Sequence, residues 1–474
     1  VKPSFVSILP HNTTRVNFPR VDLPNLNMTK RSGALALAIL ATVSIACNYA
    51  TRSLIPIASH VVCAEGQLEC SAADLVSEST SAFFVGDLLA QCAAGPLVRL
   101  VAGPWLLAVS TAGWALSTLL LPWALTAEAA PRVSAHAWLQ GIRGVLCGLG
   151  YPSAHAVVAA TPADLRATVL GLINAAAGLG SMLANAAVPG LLQRYDSWEV
   201  SFRVLGFGSL VAAAALVGLS LQSRVGLWVT PTRHVVVKGN VGRPQDSRSS
   251  LGHDLWRWLQ DPLIRGIIVW MVVVSIGGQA VGGAFLPTFF IEQHGLSVEN
   301  LGVYTGVPPL AQVAVSLGAG VLCDVLVRTG RVTALRVHLR FQQLAVLVPL
   351  LSLLVLSRLD HSPRAACVLV TLWLGCTSFQ SAGAMAVLHA VGGPRAGELF
   401  VLGNAGAKLG ALLAASRMRW LLHTCGWPPL LLGLAAAYAL AGILLLPHMH
   451  QVERAAATVV GGVTSKDSQE KKTK

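Results

Sequence analysis

Arg52, Asp87, Arg143 and Lys408 each place a charge inside a long apolar stretch of this chain. A charge kept where hydrocarbon would penalise it usually lines a pathway or faces a partner. A guanidinium offers forked donors that match carboxylate or phosphate, and it stays protonated, so Arg52 and Arg143 are the first candidates for holding an anion. For Arg143 the competing expectation is an interhelical pair, or a side chain snorkelling toward the membrane face. Asp87 has the chemistry for coupling, because a carboxylate within a helical bundle can exchange a proton or bind a cation; the alternative is a local salt bridge to Arg52 or Arg143 that only neutralises buried charge. Lys408 either adds to the anion site or pairs with Glu398. His155 and His389 are candidate proton relays, against plain packing roles as hydrogen-bonded side chains.

The elements that must position these residues are about twelve apolar stretches. They run over 33–58, 79–98, 104–125, 135–160, 167–192 and 202–221, then over 263–291, 301–326, 337–356, 365–390, 399–422 and 428–446. Each is long enough for a helix across a hydrocarbon layer of roughly 30 Å. With 54% hydrophobic and 12% charged residues and a mean hydropathy of +0.63, the 474-residue chain is excluded from the class of single soluble globules. The net charge of +13 does not argue for nucleic acid, because the Lys and Arg residues concentrate in connecting segments and tails, where basic residues report orientation. The leading tail with Lys30 and Arg31, the middle segment with Arg224, Arg233, Lys238, Arg243 and Arg248, and the closing tail with Lys466, Lys471, Lys472 and Lys474 are all basic. An even number of crossings between them puts all three on one cytosol-like side.

The expected organisation is therefore a tail (1–32), a six-helix bundle (33–222), a basic middle loop (223–262), a second six-helix bundle (263–447) and a closing tail (448–474). Two halves around a basic loop suit a pseudo-symmetric all-α membrane transporter with its substrate near the midplane. The acid-poor, basic first residues are compatible with the remnant of a transit peptide. Asn12 and Asn27 match the glycosylation sequon but fall on the side where it goes unused. Cys63 and Cys70 share a polar loop and form either a disulfide or a free pair; Cys47, Cys92, Cys147, Cys323, Cys367 and Cys376 lie in apolar stretches as packing residues. No phosphate-binding loop, dinucleotide fingerprint, nucleophile elbow or metal-ligand spacing occurs, so no enzyme, cofactor or metal is expected.

Several motifs resemble the major facilitator superfamily and, within it, the anion:cation symporters, which include sodium/phosphate cotransporters, vesicular glutamate transporters, sialin and plant plastid phosphate transporters. The resemblance extends over 33–446. The run from Cys47 to Ala58 is similar to a first-helix motif of the family, with Leu54 replacing an Asn. Tyr151-Pro152-Ser153-Ala154-His155 with Pro162 and Arg166 is similar to a fourth-helix motif. In the second half, Trp256-Arg257 with Pro262, the run Leu286-Pro287-Thr288-Phe289-Phe290 with Gly295, the run Gly320 to Leu326, and His389 with Pro394-Arg395 and Gly403-Asn404 follow the family's order. The likeness implies a twelve-helix fold that works as a monomer in a plastid or endomembrane bilayer. It adds Asn404 to the substrate-binding candidates and Asp324 as the surviving gate acid.

Departures from the family pattern bear on mechanism. Gln140 and Cys147 stand where the family carries an Arg and a Glu in its fourth helix, and Arg143, one helical turn from Gln140, can present a cation close to the missing one. Arg99, Leu100 and Pro104 replace the gate motif of the first half, and Ser275 stands where relatives often have His or Arg. The leading expectation is a carrier of a small anion, inorganic phosphate foremost, coupled to protons or sodium. Glutamate-, ascorbate- or sialate-like anions, neutral or cationic solutes, and a sensor or scaffold that has lost transport are the rival readings.

Overall fold

A computed structural model describes residues 28–64, 71–126, 132–160, 163–222, 256, 258–329, 333–358, 362–392 and 396–470. The tail up to residue 27 with its two sequons, most of the basic middle segment, Cys70 and Pro394-Arg395 lie outside these residues.

Twelve spans account for the described chain, grouped from its helices. In the first half they are Met28–Arg52 continued by Leu54–Ala64, then Ala72–Leu100, Gly103–Thr126, Arg132–Ala160, Ala163–Tyr195 and Trp198–Gln222. In the second half they are Pro262–Ser275 continued through Ile276–Ala284 to Leu286–His294, then Leu301–Arg328, Ala334–Leu356, Pro363–Thr377 continued to Ala384–Gly392, Ala396–Cys425 and Trp427–Glu470. Caps fix several starts. Ser71 accepts from the Asp74 N–H, and Asp261 accepts from Leu263 and Ile264 with Pro262 at the first helical position, so otherwise unpaired N–H donors find partners. Gly295 (φ 63°) and Gly426 (φ 72°) reverse the chain in left-handed backbone that a side chain would strain.

The packing repeats between halves. In the first half span one packs on five and six, four on two and three, and three on six; in the second, seven packs on eleven and twelve, ten on eight and nine, and nine on twelve. Every pairing recurs six spans later, which is the two-fold pseudo-symmetry of the fold. The halves meet along two seams, spans two against eleven and five against eight.

Ten stretches among the described residues are long and apolar enough to cross a membrane by composition; the second and fourth spans, holding Asp87 and Arg143, are not among them. Their charge is tolerated because they face the interior of the assembly. The two pack through glycines: a Cβ at Gly86 would lie 1.9 Å from the Gly141 carbonyl oxygen, and one at Gly144 would lie 2.0 Å from that of Phe83. Such approach is open only to residues without side chains.

Three spans depart from the continuous helices that hydropathy predicts. Span one breaks at Ser53, since Pro56 has no N–H to give the Arg52 carbonyl four residues earlier. Span seven widens into a π-helix over Ile276–Ala284, where Gly277, Gly278, Gly282 and Gly283 weaken the preference for the tighter coil. Span ten tightens to a 3-10 turn at Ser378–Ser381 before resuming at Ala384. The last helix also runs to Glu470, well beyond the expected end of the span at 446.

The first residues of spans one and seven and the last residues of spans six and twelve share one side, called the termini side, and polar contacts between the halves gather toward the other, far side. His60 meets Thr288 at 3.2 Å, Ser77 donates to the Ala415 carbonyl at 2.7 Å, Asn185 donates to the Thr305 carbonyl at 2.9 Å, and Arg419 pairs with Asp74 at 2.7 Å. His155 and His389, near the termini-side ends of spans four and ten, are exposed. The molecule is fastened on the far side.

Candidate functional site

A cavity of about 500 Å³ lies between the halves. Its wall draws on spans one, two, four and five and on their counterparts seven, eight, ten and eleven. Only four charged side chains line it among the described residues: Arg52, Asp87, Arg143 and Lys408, the four singled out by sequence. Formally they sum to +2. Much of the remaining polar wall is carboxamide, including Asn48, Gln140, Asn174, Gln279, Gln312 and Asn404.

Arg143 is 1% exposed, yet it makes one hydrogen bond, from Nη1 to the Gln140 Oε1 at 3.2 Å. Its Nε and Nη2 are buried with no partner among the described residues, as are Asn48 Oδ1, Ser79 Oγ and Ser275 Oγ on the same wall. Buried donors are ordinarily satisfied, and an unpaired buried guanidinium is costly. Arg143 therefore does not snorkel, and no carboxylate lies within ion-pair distance of it among the described residues.

Arg52 sits at the break in span one. Its guanidinium lies over the rings of Phe83 (4.5 Å), Tyr49 (4.8 Å) and Phe84 (5.9 Å). Ring faces attract a cation without consuming its hydrogen-bond donors, so Arg52 is held in place with its donors uncommitted among the described residues. It too lacks an ion-paired carboxylate among the described residues.

Asp87 and Lys408 face each other across the seam between spans two and eleven, Nζ to Oδ2 at 2.9 Å, with side chains only 4% and 8% exposed. The pair is therefore neither of the expected local bridges, to Arg52 or Arg143; it joins the two halves. Gln91 donates to Asp87 Oδ1 at 3.3 Å, Lys408 donates to Gln279 Oε1 at 2.9 Å, and the Lys408 ammonium stands 5.8 Å from the Phe84 ring. Gln279 belongs to the π-helix of span seven, which thus carries the second partner of the lysine.

The other predicted site residues are placed as follows. Asn404 lines the cavity one turn from Lys408. His155 and His389 do not; they stand beside the lining aromatics Tyr151 (6.1 Å between rings) and Phe400 (6.5 Å). Asp324 lies in the helix Leu301–Arg328, its side chain outside the described residues. Gln279, Asn48, Ser79 and the glycines of span four are site components that hydropathy and charge do not reveal.

Comparisons with known proteins agree with this architecture. A family model described as Major Facilitator Superfamily matches residues 37–370. A relative called "Probable anion transporter 3, chloroplastic" from Arabidopsis thaliana is 24% identical over 341 residues, covering 70% of this chain. The match spans 64% of that relative's own length. Among solved structures, the xylose transporter XylE from E. coli, in a partially occluded inward open conformation, superposes with a TM-score of 0.64 at 13% identity, covering 87% of this chain and 97% of that one, a likeness of fold alone. With its twelve spans in two pseudo-symmetric halves around a central cavity, the chain belongs to the major facilitator superfamily.

Proposed function

We propose that this protein is a secondary carrier that moves a small anion, inorganic phosphate foremost, by alternating access coupled to a proton or sodium gradient. The observation that carries the reading is the pair of guanidinium groups on the cavity wall with no carboxylate among the described residues paired to either, one of them with two buried donors that none of those residues satisfies. A negatively charged cargo would supply the missing acceptors, with each hydrogen bond to a charged group contributing ~1.5–3 kcal/mol. Arg143 and Arg52 would clamp the anion, and Asn404 with the neighbouring carboxamides would orient it. Asp87, a carboxylate on the same wall, would take the coupling cation.

The relative's name points to an anion as well, and to a plastid as the first location to examine. The cavity volume leaves room for an organic anion, so glutamate-, ascorbate- and sialate-like solutes belong in the same test. The test is uptake of labelled phosphate into proteoliposomes, with and without an imposed proton or sodium gradient, in competition with those anions and with neutral sugars. Gradient-stimulated uptake displaced by anions supports the reading. Absence of flux for every anion, with binding retained, would favour a sensor or scaffold instead.

A further inference from the structure

Among the described residues, spans two and eleven are joined by three polar rungs of differing depth. Asp74–Arg419 lies toward the far side with its arginine 62% exposed, Ser77–Ala415 follows one turn deeper, and Asp87–Lys408 lies deepest, almost wholly buried. From Asp74 to Asp87 the helix advances about 20 Å at 1.5 Å per residue. An exposed pair contributes little, whereas separating a buried pair leaves two uncompensated charges in a poorly solvated place. The deepest rung therefore dominates the seam, and it is the one on the cavity wall.

We infer that Asp87 and Lys408 form a charge-operated latch between the halves, released when cargo and coupling ion together replace the partners that the pair supplies to itself. This rests on the carrier reading above and gives it a mechanism of coupling. Parting spans two and eleven separates the carboxylate from the ammonium. A cation on Asp87 and an anion on Lys408 restore the charge balance of both, with none created or lost. A cation alone leaves Lys408 without a negative partner, and an anion alone leaves Asp87 without the ammonium it pairs with. Among the described residues around the latch, none offers Lys408 another negative partner: Gln91 and Gln279 are neutral, Gly148 has no side chain, Phe84 offers a ring face, and the nearby Arg143 and Arg52 share the sign of Lys408. Gln279 extends the latch to the π-helix, so release of Lys408 also frees the most irregular stretch of span seven.

The experiment is a distance measurement across the far end of the same seam, which needs no transport. Spin labels on Ser71→Cys and on the native Cys425, both exposed, report the separation of spans two and eleven when the remaining cysteines are replaced by alanine. The unmodified pair should give a short distance, lengthened by phosphate only when the coupling cation is also present. Asp87→Asn and Lys408→Met should each shift the population toward long distances without ligand, and the double variant should do so while losing any response to phosphate. Elution as a monodisperse peak verifies that each variant is folded. Distance distributions of both single variants that coincide with the parent would overturn the latch, whereas a failure of phosphate uptake by the parent would instead count against the carrier reading.

Discussion

Gly148 of span four leaves the space that Asp87 of span two occupies: a Cβ at position 148 would come within 2.7 Å of Asp87 Oδ1 and 2.6 Å of the Ala90 Cβ. The helix that presents Arg143 to the cavity is thus also shaped to admit the carboxylate that pairs with Lys408. The proposed anion clamp and latch both depend on this glycine-lined contact.

Gly148→Val should therefore push Asp87 from Lys408 and overpack the contact, at a cost of ~1–3 kcal/mol. Gly86→Ala should be worse, since its Cβ would strike backbone, 1.9 Å from the Gly141 oxygen, with no flexible group to yield. Thermal unfolding in detergent checks both. A melting temperature unchanged by Gly86→Ala would contradict the packing described.

Gln279→Leu removes the second partner of Lys408 while leaving the ion pair intact. The loss of a hydrogen bond to a charged group should lower stability by ~1.5–3 kcal/mol. Gln312→Leu is the control, because Gln312 lines the same cavity without a hydrogen bond to another described residue. Chemical denaturation of the two variants side by side should separate them clearly.

His155 and His389 stand outside the cavity wall, near its termini-side end. Replacing both by glutamine should leave phosphate affinity within about twofold, the shift expected when no direct contact is lost. Under the proposed coupling, the gradient dependence of uptake should survive in that double variant and vanish in Asp87→Asn. Loss of gradient dependence in the histidine variant alone would assign coupling to the histidines.

The charged part of this candidate site is legible in the sequence. Charge inside hydrocarbon is so costly that Arg52, Asp87, Arg143 and Lys408 stood out by hydropathy alone, and all four fall on one cavity. What hydropathy does not carry is pairing. Lys408 sits in the other half of the sequence from Asp87, and nothing local distinguishes Lys408 from Arg52 or Arg143 as the partner of Asp87, or Asp87 from Glu398 as the partner of Lys408. Neutral carboxamides such as Gln279 and Asn48 hardly disturb the apolar signal, so the polar wall was hidden. The breaks at Ser53 and over Ile276–Ala284 were hidden for a related reason: a span keeps its apolar length whether or not its hydrogen bonds shift register. The glycines of span four were visible as letters, but which backbone they approach is a tertiary fact.

The most direct measurement is equilibrium binding of labelled phosphate to the purified protein, comparing the parent with Arg52→Ala, Arg143→Ala and the double variant. If the cavity cations serve a negatively charged cargo, each single change should weaken binding by roughly ten- to a hundredfold, the equivalent of one charge-assisted hydrogen bond or more, and the double variant should abolish it. Equal binding by parent and double variant, or displacement of the label by neutral sugars as readily as by anions, would contradict that role for Arg52 and Arg143.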